Sequence, residues 1–199
     1  MPNLKPIRLF SMLALSLSLI VLLTACQDAP DSSQAVRADF EELDWDALLP
    51  ADWQPEALLE QLEVDNIPDD DPRAVAVMEQ IMQLWNAAPT VPLLAGRRVS
   101  LTGFLVPLDF ETDQLSEFLL IPYYGNCIHI PPPPANQTLH VVMPEGHPHR
   151  AGVFDVVRVS GTLRIASFRH AMGVAAYRLD AELVEYDQAA GADVMQQME

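Results

Sequence analysis

A cysteine and a histidine two residues apart are the clearest chemical feature of this sequence. Cys127 and His129 fall in the segment 123–137, and all five histidines lie between positions 129 and 170. On an extended segment, residues i and i+2 project from one face with Cα atoms roughly 6–7 Å apart. Zinc prefers thiolate and imidazole ligands in tetrahedral sites. The pair therefore predicts a transition-metal site, with zinc as the first candidate.

A tetrahedral zinc ion needs further ligands, and the sequence offers two more histidines. His147 lies in a His-Pro-His sequence in a predicted hairpin loop, and His170 lies in the loop before the last predicted strand. We expect His170 or His147 to complete a site with Cys127 and His129. Thiolate ligation would also explain how a lone thiol escapes oxidation in an oxidising compartment.

Two other interpretations of the cysteine stay open. Free cysteines often pack as small buried hydrophobes, and His129 would then be a satisfied polar neighbour. A Cys-His pair can also supply a nucleophile and its base. No orienting acid or glycine-rich oxyanion loop is evident beside Cys127, so the sequence favours a binding role over a thiol-dependent enzyme.

Four consecutive prolines follow the cysteine segment. Proline has no N–H to donate to a sheet, so this stretch is predicted to leave the sheet as a stiff polyproline II arm. The arm is either a docking feature for a protein partner or a rigid crossover that fixes the cysteine segment. Asn136 can hydrogen-bond the loop that follows. The arm and its neighbour comprise Pro131, Pro132, Pro133, Pro134 and Asn136.

The first 25 residues have the order of a secretory signal, with a positive start, an apolar run and small residues. The run from Leu9 to Leu23 is short for a membrane span, which needs roughly 20 apolar residues. Leu-Thr-Ala before Cys26 resembles the bacterial lipobox. The resemblance implies cleavage before Cys26 and acylation of its thiol, for example by palmitate, and of the new amine. Several acyl chains give stable anchoring.

Gln27, rather than aspartate, after the cysteine implies delivery to the outer membrane, with the protein facing the periplasm. The alternatives are an uncleaved anchor helix or a plainly secreted protein. The chain is strongly acidic, with a formal net charge of −17. Nucleic-acid binding needs a basic face, so nucleic acids are excluded as partners. No phosphate-binding glycine loop and no serine elbow is present.

The elements that must position these residues are mostly strands. A capping carboxylate and a proline at Asp71-Pro72 predict a helix start, and a shorter helix is predicted over 55–64. An apolar stripe predicts that the helix after Pro72 packs on a sheet; it consists of Val75, Met78, Ile81, Met82 and Trp85. Five strands are predicted over 99–106, 117–124, 138–143, 153–165 and 174–186, with a bend or bulge at Gly103.

The predicted fold class is mainly β: a small OB-like five-stranded barrel with one or two N-terminal helices. The predicted chain order is a lipoprotein signal peptide (1–25), a lipidated tether (26–38), an acidic helical N-terminal extension (39–95), the OB-like barrel (96–187) and a polar tail (188–199).

The motifs together resemble the bacterial domain-of-unknown-function family 3299. The resemblance rests on 104–109 and 117–137, with 43–50 and 159–163 in support, and spans about residues 39–187. Its most specific part is the core Cys-x-His-x-Pro-Pro-Pro-Pro. The resemblance implies an OB-like barrel, an envelope location and an accessory role for an envelope transport system. It carries over no catalytic residues.

Overall fold

A computed structural model describes residues 37, 39–61, 67–68, 71–112, 114–123, 132–150, 152 and 155–187. Contacts divide the chain into the units Met1–Ala38 and Asp39–Glu199, and the second unit is described below. Within the described ranges, no helix is both long enough and apolar enough to cross a bilayer.

The second unit contains two α-helices and eight strands among its described residues. The helices are α1 (Pro55–Gln61) and α2 (Arg73–Asn86). The long strands are β2 (Arg98–Pro107), β4 (Glu117–Ile121), β5 (Leu139–Val142), β7 (Val156–His170) and β8 (Gly173–Tyr186). The short strands are β1 (Glu41–Glu42), β3 (Gln114–Leu115) and β6 (His149–Arg150).

The five long strands pair in a closed circuit. β2 pairs with β4, β4 with β5, β5 with β8, β8 with β7, and β7 with β2. All of these pairings are antiparallel except β5–β8, which is parallel. A closed circuit of five strands is the arrangement of an OB barrel. The predicted fold class is therefore confirmed, and β7 continues five residues beyond its predicted end at Ile165.

Along one of its two edges, β2 pairs with two different strands in succession. Its last residues, Phe104–Pro107, pair with β4, whereas Val99 and Ser100 pair with β1 on the edge that β4 leaves open. An unpaired strand edge invites association with other chains. The two residues of β1 therefore cover part of the barrel edge that the five long strands do not close.

Alternate residues of the strands fill the barrel interior with large apolar side chains. Phe118 and Leu120 of β4 face this core, as do Leu139 and Val141 of β5, and all four are fully buried. Burying each such side chain contributes about 1.5–3 kcal/mol relative to exposure. This core fixes the register of the strands, since a slip by one residue would turn the apolar set outward.

Two glycines allow backbones to approach closely in the barrel wall. A Cβ on Gly103 would lie 2.6 Å from the Ile121 carbonyl oxygen and 2.9 Å from the Trp45 ring. A Cβ on Gly161 would collide with the Asp180 carbonyl, at the β-bulge of the β7–β8 pairing. Gly103, for which a bend or bulge was predicted, thus permits a close approach of backbones where β2 passes from one partner to another.

The α2 helix begins at Arg73, one residue later than its sequence signals suggest. The Asp71 carboxylate accepts the backbone N–H of Arg73 at 2.8 Å, and the Arg73 guanidinium holds the pKa of Asp71 at about 2. The helix buries Ile81 and Trp85. The predicted apolar stripe is wrong at its N-terminal end, because Val75 is 68% and Met78 is 37% exposed.

Buried polar side chains attach the N-terminal extension to the barrel. Tyr177, fully buried in β8, accepts the Val91 N–H at 2.6 Å and donates to the Leu48 carbonyl at 2.9 Å. Gln137 donates to the Trp45 carbonyl at 2.7 Å. These bonds satisfy backbone groups of residues distant in sequence, so the extension is part of the folded unit.

We predict that Tyr177→Phe lowers the free energy of unfolding by about 2 kcal/mol, because a buried N–H and a buried carbonyl both lose their partner. Urea denaturation followed by circular dichroism measures the change. Tyr186→Phe is the matched control. Its hydroxyl donates to the Arg150 carbonyl, but the residue is 52% exposed, and water replaces the bond at a cost below about 0.5 kcal/mol. Equal losses in the two variants would contradict the role given to Tyr177.

Candidate functional site

A cavity on the outer face of the barrel brings together several of the residues singled out in the sequence. Its volume is about 320 Å³. His170 lines it, as do Pro132 and Pro133 of the proline arm. The other walls are the α2 side chains Met82, Trp85 and Asn86, the barrel residues Val106, Leu119, Ile121, Thr138 and Val174, and the turn residues Ala171, Met172 and Gly173.

The distal part of the β7–β8 hairpin forms one side of this cavity. The pairing shifts register between Ile165 and Phe168, and beyond this irregularity Phe168 packs on a second apolar cluster outside the barrel core. That cluster contains Val106, Leu119, Ile121 and Ala175, with Phe104, Leu108 and Phe168 partly buried against it. The hairpin tip therefore packs beside the outer surface of β4.

His140 and Phe168 hold the hairpin in this position. Their rings stack with centroids 3.7 Å apart and an interplanar angle of 12°. His140 is buried, and its Nε2 lies 2.8 Å from a carboxylate oxygen of the half-exposed Glu117. Sequence reasoning gave His140 no role. Its place in β5, between the core residues Leu139 and Val141, is the signal that it faces outward from the barrel.

His170 sits at the end of the aromatic row. Its ring is nearly parallel to that of Phe168, with centroids 6.3 Å apart. The Met172 N–H donates to Nδ1 of His170 at 3.2 Å. A neutral imidazole that accepts at Nδ1 carries its proton on Nε2. In this arrangement His170 therefore offers a hydrogen-bond donor through Nε2.

A metal ion would need the Nε2 lone pair instead. Moving the proton to Nδ1 would break the bond from Met172, at a cost of about 1 kcal/mol. Apparent binding energies of structural zinc are of the order of 10 kcal/mol. The observed tautomer therefore does not prevent His170 from binding zinc if other ligands are in place.

The other predicted metal ligands are distributed as follows. Cys127 and His129, like Cys26 and Pro131, lie outside the described residues. His147 is exposed beside a turn and does not line the cavity. Among the residues that the structure describes, no three His, Cys, Asp or Glu side chains converge as a metal-binding group. The prediction of a metal site through Cys127 and His129 thus stays a prediction.

His149 is the second histidine of the His-Pro-His sequence in the predicted hairpin loop, and the structure places it in a strand instead. It lies in β6, half-buried, with its ring 5.6 Å from that of Tyr186. Its Nε2 is buried with no hydrogen-bond partner in the described structure. Burial lowers the pKa of His149, although the nearby Asp155 carboxylate opposes the change.

The described part of the proline arm is fastened to the fold. Pro132 is exposed, Pro133 is half-buried and Pro134 is buried. The Thr138 hydroxyl donates to the Pro134 carbonyl at 3.2 Å. Asn136 is fully buried and donates to the Pro89 carbonyl at 2.9 Å. Within this part of the arm, Pro132 is the proline that faces solvent.

The family relation of the chain is clear from its sequence match. The family model described as "Protein of unknown function (DUF3299)" matches residues 45–186. The chain belongs to this family. The match includes most of the described N-terminal extension and all five barrel strands, and it confirms the resemblance seen in the sequence.

One solved structure supports the assignment directly. The crystal structure of a DUF3299 family protein from Pseudomonas aeruginosa PAO1 is 31% identical, covers 75% of this chain and 97% of its own, and has a TM-score of 0.54. A small single-stranded DNA-binding protein from Streptomyces coelicolor has 14% identity, coverage of 48% and 98%, and a TM-score of 0.32, which is too remote to bear on fold or function. No curated protein matches this DUF3299 chain.

We predict that Phe168→Ala loosens the hairpin tip, because the variant loses both the stack on His140 and the apolar contact with the second cluster. The expected loss is about 1–2 kcal/mol of unfolding free energy, with faster amide exchange at residues 168–174. Hydrogen-exchange mass spectrometry measures the local effect. The control is Ile165→Ala, on the same strand but 42% exposed. Unchanged exchange at the tip in Phe168→Ala would show that the stack does not hold the hairpin.

Proposed function

We propose that this DUF3299 protein is a lipid-anchored periplasmic binding protein that serves an envelope transport system and binds a transition metal, zinc in the first place. Cys127 and His129 are the central ligands of the proposal. One observation supports its location: Ile121 and Pro132, on either side of the segment with these two residues, line the same cavity as His170. The described fold therefore brings residues on both sides of the Cys-x-His segment to the imidazole of His170.

The proposed ligand set follows from the chemistry of zinc. One thiolate and two imidazoles leave a fourth position for water or for a ligand delivered by a partner. Such an open position suits a protein that passes a metal on, since the metal can leave without the whole site unfolding. We assign the second imidazole to His170, because His147 lies outside the cavity lining.

The metal content of the full chain tests this proposal. We expect about one zinc per chain by elemental analysis of protein purified in detergent. Cys127→Ser should lose the metal, and His170→Gln should weaken it by about tenfold to a hundredfold, by analogy with loss of a metal-supporting group. His147→Gln is the matched control, exposed and outside the cavity, and should retain the metal.

Metal-free protein whose melting temperature does not change on zinc addition would refute the metal site. That result would favour the second candidate, an interaction module without metal. The exposed Pro132 supports this candidate, because it lines the cavity rim together with Met172, which is 42% exposed. A rigid proline beside a flexible thioether is a surface that a protein partner can pack against.

The lipid anchor has its own test. We expect radiolabelled palmitate to enter the chain, because acylation follows the lipobox-like Leu-Thr-Ala-Cys, and the mature protein to fractionate with outer membranes. Cys26→Ser should abolish labelling, whereas Cys127→Ser should leave it unchanged and serves as the control. Labelling that survives in Cys26→Ser would contradict the anchor.

A further inference from the structure

The proposed metal site does not account for the size and the polarity of the cavity on the outer face of the barrel. Its lining is apolar over most of its area, with Trp85, Leu119 and Ile121 among the contributors. At 320 Å³ it is at the small end of the range for ligand sites, about 300–1,000 Å³. Water occupies about 30 Å³ per molecule, so the space suits a ligand of about ten non-hydrogen atoms.

The described lining of the cavity has few polar side chains, those of His170, Asn86 and Thr138. Nε2 of neutral His170 carries a proton and has no hydrogen-bond partner among the described residues. Asn86 adds a side-chain amide, for which the described chain likewise shows no partner. The Thr138 hydroxyl already donates to the Pro134 carbonyl. The cavity thus presents at least one unused donor, that of His170, beside an apolar wall.

The charges of the lining also favour an acceptor. The chain has 28 acidic residues, yet none of the described residues that line this cavity is acidic. An anionic group with several acceptor atoms can accept a hydrogen bond from the imidazole N–H here. None of the described lining residues places a carboxylate beside it. A cationic ligand could donate to the amide oxygen of Asn86, but it would find no carboxylate among the described residues of the lining.

We propose that the cavity binds a small carboxylate with an apolar body, its carboxylate oxygen accepting from Nε2 of His170 and its body packing on Trp85 and Leu119. Carboxylate binding does not require the metal proposed above, because it uses the imidazole of His170 as a donor and needs neither Cys127 nor His129. Burial of the apolar body supplies affinity, and the single charge-assisted hydrogen bond fixes orientation.

Binding of octanoate, a carboxylate of ten non-hydrogen atoms, tests the proposal. The full chain is placed in lipid nanodiscs with a metal chelator, and protein-free nanodiscs serve as the blank. Equilibrium dialysis of labelled octanoate gives the affinity, and the change in Trp85 fluorescence reports on the site. We expect saturable binding, with no detectable binding of acetate, which lacks the body, or of octylamine, which lacks the acceptor.

The variants distinguish the loss of the His170 hydrogen bond from general effects on folding. His170→Phe keeps an aromatic ring for the stack on Phe168 and should weaken octanoate binding by about threefold to tenfold, because His170 is exposed and water replaces part of the lost hydrogen bond. His170→Gln, which restores an N–H donor, should recover part of this loss. His147→Gln is the control and should bind as the parent chain does. Thermal melting checks that each variant is folded.

Three results would overturn the inference: no saturable octanoate binding to the parent chain, equal affinity in a folded His170→Phe variant, or octylamine binding as tightly as octanoate. Because the chelator removes metal throughout, these outcomes do not depend on whether the metal proposal holds. Conversely, loss of zinc in Cys127→Ser would not alter the octanoate result.

Discussion

The pairing of β7 with β8 takes part in every feature described above. Between Val157 and Leu163 this hairpin forms two of the five barrel strands, and β7 also closes the circuit by pairing with β2. Past the shift between Ile165 and Phe168, the same hairpin leaves the barrel core and supplies a cavity wall. One pair of strands, interrupted by two register shifts, therefore connects the barrel to the candidate site.

The attachment of the N-terminal extension has a different physical basis. An apolar interface alone tolerates sliding, whereas a buried hydrogen bond is costly to leave unmade. Tyr177 satisfies one N–H and one carbonyl of the extension, and Asn136 satisfies another carbonyl next to α2. Because α2 provides Met82 and Trp85 to the cavity, these hydrogen bonds help to determine where that wall of the site lies.

The sequence predicted the barrel well because strand alternation and strand order leave few closed arrangements. Gly103 and the β-branched residues of β2 indicated a long first strand with a special position at Gly103, and in the structure β2 spans Arg98–Pro107 with close backbone approach at Gly103. The cavity was less predictable, since it depends on the irregularity near Ile165, which has no signal of its own in residue type. His140 was missed because a histidine in a strand gives no indication of its ring partner, Phe168, until the hairpin folds back.

The apolar stripe of α2 shows a further limit of prediction from sequence. Helical spacing correctly marked Ile81 and Trp85 as buried, but it also included Val75, which is exposed in the first turn of the helix. Periodicity shows which side of a helix is apolar, but it does not show what length of the helix packs against the rest of the protein.

The metal proposal and the carboxylate proposal both depend on one atom, Nε2 of His170. Nε2 of His170 can donate a proton to an acceptor or give its lone pair to a metal ion, and it cannot do both. The bond from Met172 to Nδ1 favours the donor form in the unliganded protein by about 1 kcal/mol, which a metal held by Cys127 and His129 would overcome. Carboxylate and metal are therefore alternatives at this residue unless the carboxylate itself becomes a metal ligand. The position of one proton on His170 thus determines which chemistry the cavity presents.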